Sequence, residues 1–179
     1  MKKIIVSIFV TFFLLTGSRA FTQIYISFDG VEGESNAKGL KGAIEISSFS
    51  TGITNSAPAV KTGAGLIAGK ASMSELVFTK QRGSSSAAIQ AFAFNGKHTT
   101  KVELRFYKAN NTTTPYLIIT LEDVLVNGWK IDVDKSGNSV ETISLLTAKI
   151  RFEDTVSNPD GTPKRIQPTG WDFTQNSAN

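Results

Sequence analysis

Apolar and polar positions alternate along most of the chain, and the alternation predicts strands. In residues 24–28, Ile24, Ile26 and Phe28 share one face while Tyr25 and Ser27 take the other, the period-two signature of a half-buried strand. Residues 43–49 repeat it, with Ile44 and Ile46 against Glu45 and Ser47. Residues 71–79, containing Leu76, Val77 and Phe78, predict a third strand. The clearest is 101–108, where Val102, Leu104 and Phe106 oppose Lys101, Glu103, Arg105 and Tyr107. Residues 116–126 point Leu117, Ile119 and Leu121 inward, with the phase disturbed at Glu122-Asp123, where a bulge is expected. Residues 140–153 set Leu146, Ala148, Ile150 and Phe152 against Lys149, Arg151 and Glu153. A last short segment surrounds Gly170-Trp171-Asp172-Phe173.

Turn chemistry separates these segments. Asp29-Gly30, Asn110-Asn111-Thr112 and the run from Asp134 to Asn138 read as turns, and 157–163 as a Pro/Gly-rich loop. Asn127-Gly128 reads as a turn that leaves Trp129 free for a subunit contact, whereas Trp171 reads as core. One stretch has helical spacing: after the hydroxyl caps of Ser84, Ser85 and Ser86, residues 87–95 put Ala88, Ile89, Phe92 and Ala93 on one face, and Gly96 suits the left-handed stop. Residues 51–70, rich in Gly, Ala, Thr and Ser, predict a loop long enough to be functional or disordered. Roughly seven strands and one short helix make a mainly β domain, an antiparallel barrel or sandwich.

The N-terminus is different. Lys2 and Lys3 precede an apolar run from Ile4 to Leu15, followed by the small residues Ser18 and Ala20. This predicts a signal peptide over residues 1–20, cut after Ala20 or a few residues later near Gln23, and a mature domain over 21–179. The apolar run is shorter than the roughly 20 residues that span a bilayer, so no stable membrane anchor remains after cleavage. The chain of 179 residues carries 19 basic and 15 acidic residues. Residues 1–20 hold Lys2, Lys3 and Arg19 and no acid, so the mature chain is 16 against 15. The basic isoelectric point therefore belongs largely to the leader, and a nucleic-acid partner, which needs a concentrated positive field, is not expected. There is no Cys, which excludes disulfides, thiolate chemistry and a lipid on an N-terminal Cys.

Candidates for catalysis and metal binding are few. The single histidine, His98, follows the helix, and nothing selects one serine as its nucleophile, so a surface role is expected. The adjacent acids Glu122-Asp123 and Glu153-Asp154 point to opposite strand faces and form no dyad. Asp132-x-Asp134-x-Ser136-Gly137 fits the front of a calcium loop, but Ile143 stands where the bidentate Glu belongs. A hairpin turn is the expectation there. No cofactor is expected. Asn110 and Asn111 head two overlapping Asn-x-Thr sequons.

In order along the chain, several of these segments resemble the Hcp (haemolysin-coregulated protein) family, the tube proteins of type VI secretion systems. The resemblance runs through residues 24–35 and 44–52, Gly69-Lys70-Ala71, 76–80, Gly96-Lys97-His98, 116–126 and Gly170-Trp171-Asp172. It implies a small antiparallel β-barrel with one short α-helix, head-to-tail closure into a hexameric ring, stacking of rings into a tube, and no active site. It also implies secretion-apparatus or cargo proteins as partners. The loop after the second strand contacts neighbouring subunits or rings in this family, which marks Thr51, Gly52, Lys61, Gly65 and Lys70 as candidate assembly residues. Tube subunits of this family are ordinarily assembled in the cytoplasm, so the leader sets this chain apart as an exported relative, periplasmic or secreted. The alternative is an exported monomeric module on the same barrel that recognises a glycan or a surface protein. An aromatic-lined cleft would mark that role, and flat apolar faces would mark self-association. A hydrolase has little support beyond abundant Ser and His98.

Overall fold

A computed structural model describes residues 22–56, 69–109 and 113–178. In chain order, β1 is Gln23–Phe28, β2 Ile44–Ile46, β3 Ser48–Ser50, β4 Ile53–Asn55, β5 Ala71–Met73 and β6 Leu76–Gln81. Helix α1 spans Ser86–Asn95. Then come β7 His98–Tyr107, β8 Leu117–Val133, β9 Ser139–Ser157, β10 Pro163–Arg165, β11 Thr169–Asp172 and β12 Ser177–Ala178. One antiparallel sheet runs β12-β11-β9-β8-β7-β1-β2, with β10 and β6 also on β9, and β3 on β6. Strands β4 and β5 form a separate pair. Among the described residues the fold is mainly β with one helix, as expected. The predicted leader lies outside the described residues, as do Asn110, Asn111 and Thr112.

Residues 44–50 change partner partway, which curls the sheet. Ile44 to Ile46 pair with β1, while Ser48 to Ser50 pair with β6. The turnover is at Ser47, whose N–H donates to the Thr79 carbonyl at 2.7 Å. The sheet therefore curls toward a barrel without a ladder joining β2 to the end of β6, and a seam remains there. Where the periodicity predicted one strand for 43–49, the partner change splits it in two. The predicted strand over 71–79 is likewise two, because β5 joins β4 and β6 joins the large sheet.

The core is the inward face of this sheet. Ile26, Phe28, Ile44, Ile46, Leu76, Phe78, Val102, Leu104, Phe106, Ile119 and Leu121 are all buried in it. Each such side chain contributes about 1.5–3 kcal/mol on leaving water. Ile89 of α1 is also buried in it, and Ala88, Phe92 and Ala93 pack against it, so the predicted helix face is the observed one. Gly96 is left-handed at φ 62° and its N–H caps the Phe92 carbonyl.

The disturbance of phase expected at Glu122-Asp123 is present, but it is not a bulge: Thr100 and Ala148 are skipped opposite Asp123, and the register is the same on either side. Asp123 is left-handed at φ 52°, and it is skipped in the ladders to both β7 and β9. Before it, Ile119 and Leu121 point inward; after it, Val124 and Val126 do. Strand β9 changes phase opposite, from buried Ile150 to buried Leu145 and Ile143. A single alternation over 140–153 therefore misplaces Leu146, which is exposed. The register between β8 and β9 shifts further along, between Val126 and Gly128, and the bulge is there. Consequently Asn127-Gly128 is not a turn. β8 continues through it to Val133, and the hairpin closes at residues 134–138 with Gly137 at φ 84°.

Candidate functional site

Helix α1 is anchored by a polar cluster where an apolar one would be ordinary. Lys80 on β6 and Glu141 on β9 face each other in register and are fully buried, with Nζ to Oε2 at 3.0 Å. The ammonium also donates to the Gln81 carbonyl at 2.8 Å and to Ser86 Oγ at 3.0 Å. Ser86 Oγ donates to Glu141 Oε2 at 2.6 Å, while Oε1 accepts from Arg82 Nη1 at 3.1 Å and Trp129 Nε1 at 3.3 Å. Burial alone would raise the Glu141 pKa; the hydrogen bonds from Ser86 and Lys80, with the Lys80 charge, hold it below the usual carboxylate range. Trp129 is thus a half-buried partner of this cluster and not the free contact residue expected from a turn at Asn127-Gly128.

The serines before the helix serve carboxylates instead of capping it themselves. Ser85 at the N-cap makes no side-chain capping bond. Glu34, from the loop after β1, accepts from Ser85 N–H at 2.9 Å, Ser85 Oγ at 3.0 Å and Ser84 Oγ at 3.3 Å. A carboxylate at a helix N-terminus meets orphan N–H groups and the positive end of the dipole. Burial raises the Glu34 pKa, but the Ser85 hydrogen bonds outweigh it and the net direction is down.

The five candidate assembly residues are divided. Lys61 and Gly65 lie outside the described residues. Thr51 and Gly52 lead into β4, and Lys70 leads into β5, so the predicted long loop is in part a hairpin base: Ile53 pairs with Met73 and Asn55 with Ala71. Gly52 O accepts from Ser74 N–H at 2.8 Å, and Gly69 N–H donates to Asn55 Oδ1 at 2.9 Å. A Cβ at Gly69 would lie 1.6 Å from the Ser56 carbonyl oxygen, so only glycine closes this base. Asn176 Oδ1 accepts from Ala71 N–H at 3.2 Å, tying the base to the C-terminal turn. Ile53 is exposed.

The outward face of β7, β8, β9 and β11 is a lattice of alternating charge. Cross-strand register puts Lys101 beside Glu122, Glu122 beside Lys149, and Lys149 beside Asp172. Glu103 takes Lys101 at 2.9 Å and Arg105 at 2.6 Å, and Arg151 meets Glu153 at 3.4 Å. Asp172 is lowered to about 2, chiefly by the Thr174 hydroxyl and the Gln175 N–H. Further along, the 29–43 loop covers Tyr25 and Tyr107 with Leu40 and Ala43, and the two rings meet edge to face at 6.0 Å.

Other sequence candidates resolve simply. His98 opens β7 at the surface, its Nδ1 2.6 Å from Asp123 Oδ1. Asp134 spends its carboxylate on the turn, accepting from Ser136 N–H, Asn138 N–H and Asn138 Nδ2. Trp171 packs against the core. A cavity of about 740 Å³ occupies the seam between β2 and the end of β6; of its lining only Tyr25 is aromatic, beside the charged Glu34, Glu45 and Arg82. It is not the aromatic-lined cleft that a glycan site would call for.

The family model described as "Type VI secretion system effector, Hcp" matches residues 25–153. Among solved structures, one described as a type six secretion system protein superposes with a TM-score of 0.83 at 26% identity, covering 89% of this chain and 100% of that one. Hcp1 from Salmonella typhimurium gives a TM-score of 0.72 at 27% identity, covering 88% and 99%. A type VI secretion system effector from Yersinia pestis, 20% identical with a TM-score of 0.66 over 83% and 98% of the two chains, shares the fold. No curated protein matches the chain.

Proposed function

The chain belongs to the Hcp family of type VI secretion proteins, and on that premise we propose that it is an exported ring-forming subunit. As a family member it is a structural protein of the secretion-tube class and not an enzyme. The finer reading is that subunits close head to tail into hexameric rings that stack and carry cargo. A heterologous contact of this kind closes when its rotation divides the circle. The observation that supports this most is the superposition over 100% of a type six secretion system protein's chain. The domain division and the destination outside the cytoplasm rest on the leader in the sequence.

Light scattering on residues 21–179 during size exclusion tests the ring. The expected mass is six subunits, with ring-shaped particles in negative stain. A strict monomer at high concentration, with no particles, would refute it and leave the monomeric module.

A further inference from the structure

The cavity of about 740 Å³ lies in the seam where residues 44–50 part from β6, and its wall includes Thr22, the first described residue. We propose that this groove receives the N-terminus that leader removal creates: Phe21 begins the exported chain, its α-ammonium turned to the free carboxylate of Glu45 and its ring laid beside Tyr25 on the same outward face. The inference goes beyond ring formation and rests on cleavage after Ala20.

Three observations carry it. The first is where the undescribed chain ends. Phe21 is one residue from a lining residue, and one residue reaches about 3.3–3.6 Å, so the new terminus is tethered at the groove mouth and needs no separate encounter. The second is charge. Of the groove's three charged groups, Arg82 is drawn inward to Glu141, and Glu34 is held by Ser84 and Ser85. Glu45 is exposed and makes no ion pair among the described residues. One carboxylate is left for a cation. The third is the wall itself. The ladder between residues 44–50 and β6 begins only at Ser48 and Thr79, so the strands splay and leave space beside Ile46 and Gln81. The precursor cannot dock in this way, because residue 21 is then an amide within the chain and has no ammonium. Occupancy of the groove would therefore mark the processed protein.

The test is the acylation rate of the α-amine by acetyl N-hydroxysuccinimide near neutral pH, read by mass spectrometry. The exported chain is compared with a peptide of sequence Phe-Thr-Gln-Ile-Tyr. Protection of at least about tenfold is expected, equivalent to about 1.4 kcal/mol. Glu45→Gln should restore most of the peptide rate, and Glu122→Gln, on the same outward face but on β8, three strands away from β2, should restore none. A peptide-like rate in the wild type, or protection untouched by E45Q in a folded variant, overturns the proposal. So does a mature terminus other than Phe21. Protection that appears only as concentration rises would assign the groove to a neighbouring subunit and also overturn it. Light scattering on the same samples reports ring formation separately, so the two readings fail independently.

Discussion

Replacing Glu141 by Gln should destabilise the protein more than replacing Lys80 by Met, although the two share one 3.0 Å ion pair. The asymmetry follows from what each leaves behind. In E141Q the Lys80 ammonium keeps the Gln81 carbonyl and Ser86 Oγ but loses its counter-charge while fully buried. An uncompensated buried charge costs about 3–5 kcal/mol. In K80M the Glu141 carboxylate keeps Arg82, Ser86 and Trp129, so the loss is about 1–3 kcal/mol, in the range for hydrogen bonds to a charged group. The double replacement K80M/E141Q removes both charges and should cost less than the sum by about 2 kcal/mol or more. Urea unfolding of the four proteins gives the cycle directly; by heat, each kcal/mol appears as about 2–4 °C for a domain of this size. The pH arm has a definite sign. Because the folded Glu141 pKa is lowered, its contribution is fully present above the ordinary carboxylate value of about 4.3 and disappears as pH falls through the lower folded value. E141Q should flatten that part of the curve. K80M as damaging as E141Q, or strictly additive effects, would refute the reasoning.

Glu34→Gln should loosen the start of α1 and cost about 1 kcal/mol, the ordinary value of a helix cap, measured by chemical unfolding followed by circular dichroism. Its pKa is also lowered, so the difference from wild type should vanish as pH drops below the carboxylate range. Gly33→Ala would place a Cβ 2.3 Å from the Ala43 carbonyl oxygen; an overpacking cost of about 1–3 kcal/mol is expected, visible in the unfolding midpoint. Asp123→Gly trades the left-handed backbone at φ 52° against an exposed pair with His98, each worth about 1 kcal/mol or less, so stability should move by less than about 1 kcal/mol. Exchanging residues 57–68 for a short Gly-Ser linker should keep the melting temperature and abolish particles in negative stain, since the base is held by Asn55 and Asn176.

Alternation located most strands because a half-buried strand must write its two environments into alternate residues. It failed where the backbone breaks the period. Leu146 looked inward because Ile150 is inward, but Asp123 shifts the phase across β8 and β9 together, and no property of residues 140–153 alone shows this. The partner change at Ser47 does leave a trace: after Ile44 and Ile46 the next apolar residue is Phe49, so the period breaks at the two adjacent polar residues Ser47 and Ser48. The Lys80–Glu141 pair was likewise legible and went unread. Leu76, Phe78 and Lys80 share one face, as do Glu141, Ile143 and Leu145. Opposite charges at inward positions of two strands are a reason to pair those strands, since neither tolerates burial alone. The assembly loop lay within reach of composition and resemblance only, and of it the structure adds the base, not the residues between.

Charge also constrains which surfaces a ring could use. Interface cores are depleted of charged residues, and removing paired charges from water is rarely repaid. The outward face of β7, β8, β9 and β11 sets Lys101, Arg105, Lys149 and Arg151 against Glu103, Glu122, Glu153 and Asp172, so it is satisfied within one subunit and gains little from being covered. On the proposed ring this face should stay wet, as a wall of the lumen or of the exterior. The contacts then fall to surfaces that still lack a partner: the β4–β5 base with Ile53 and the exposed ring of Phe94, which is 79% accessible on α1. A mature chain close to neutral fits that division, because such contacts need little long-range attraction and meet little long-range repulsion.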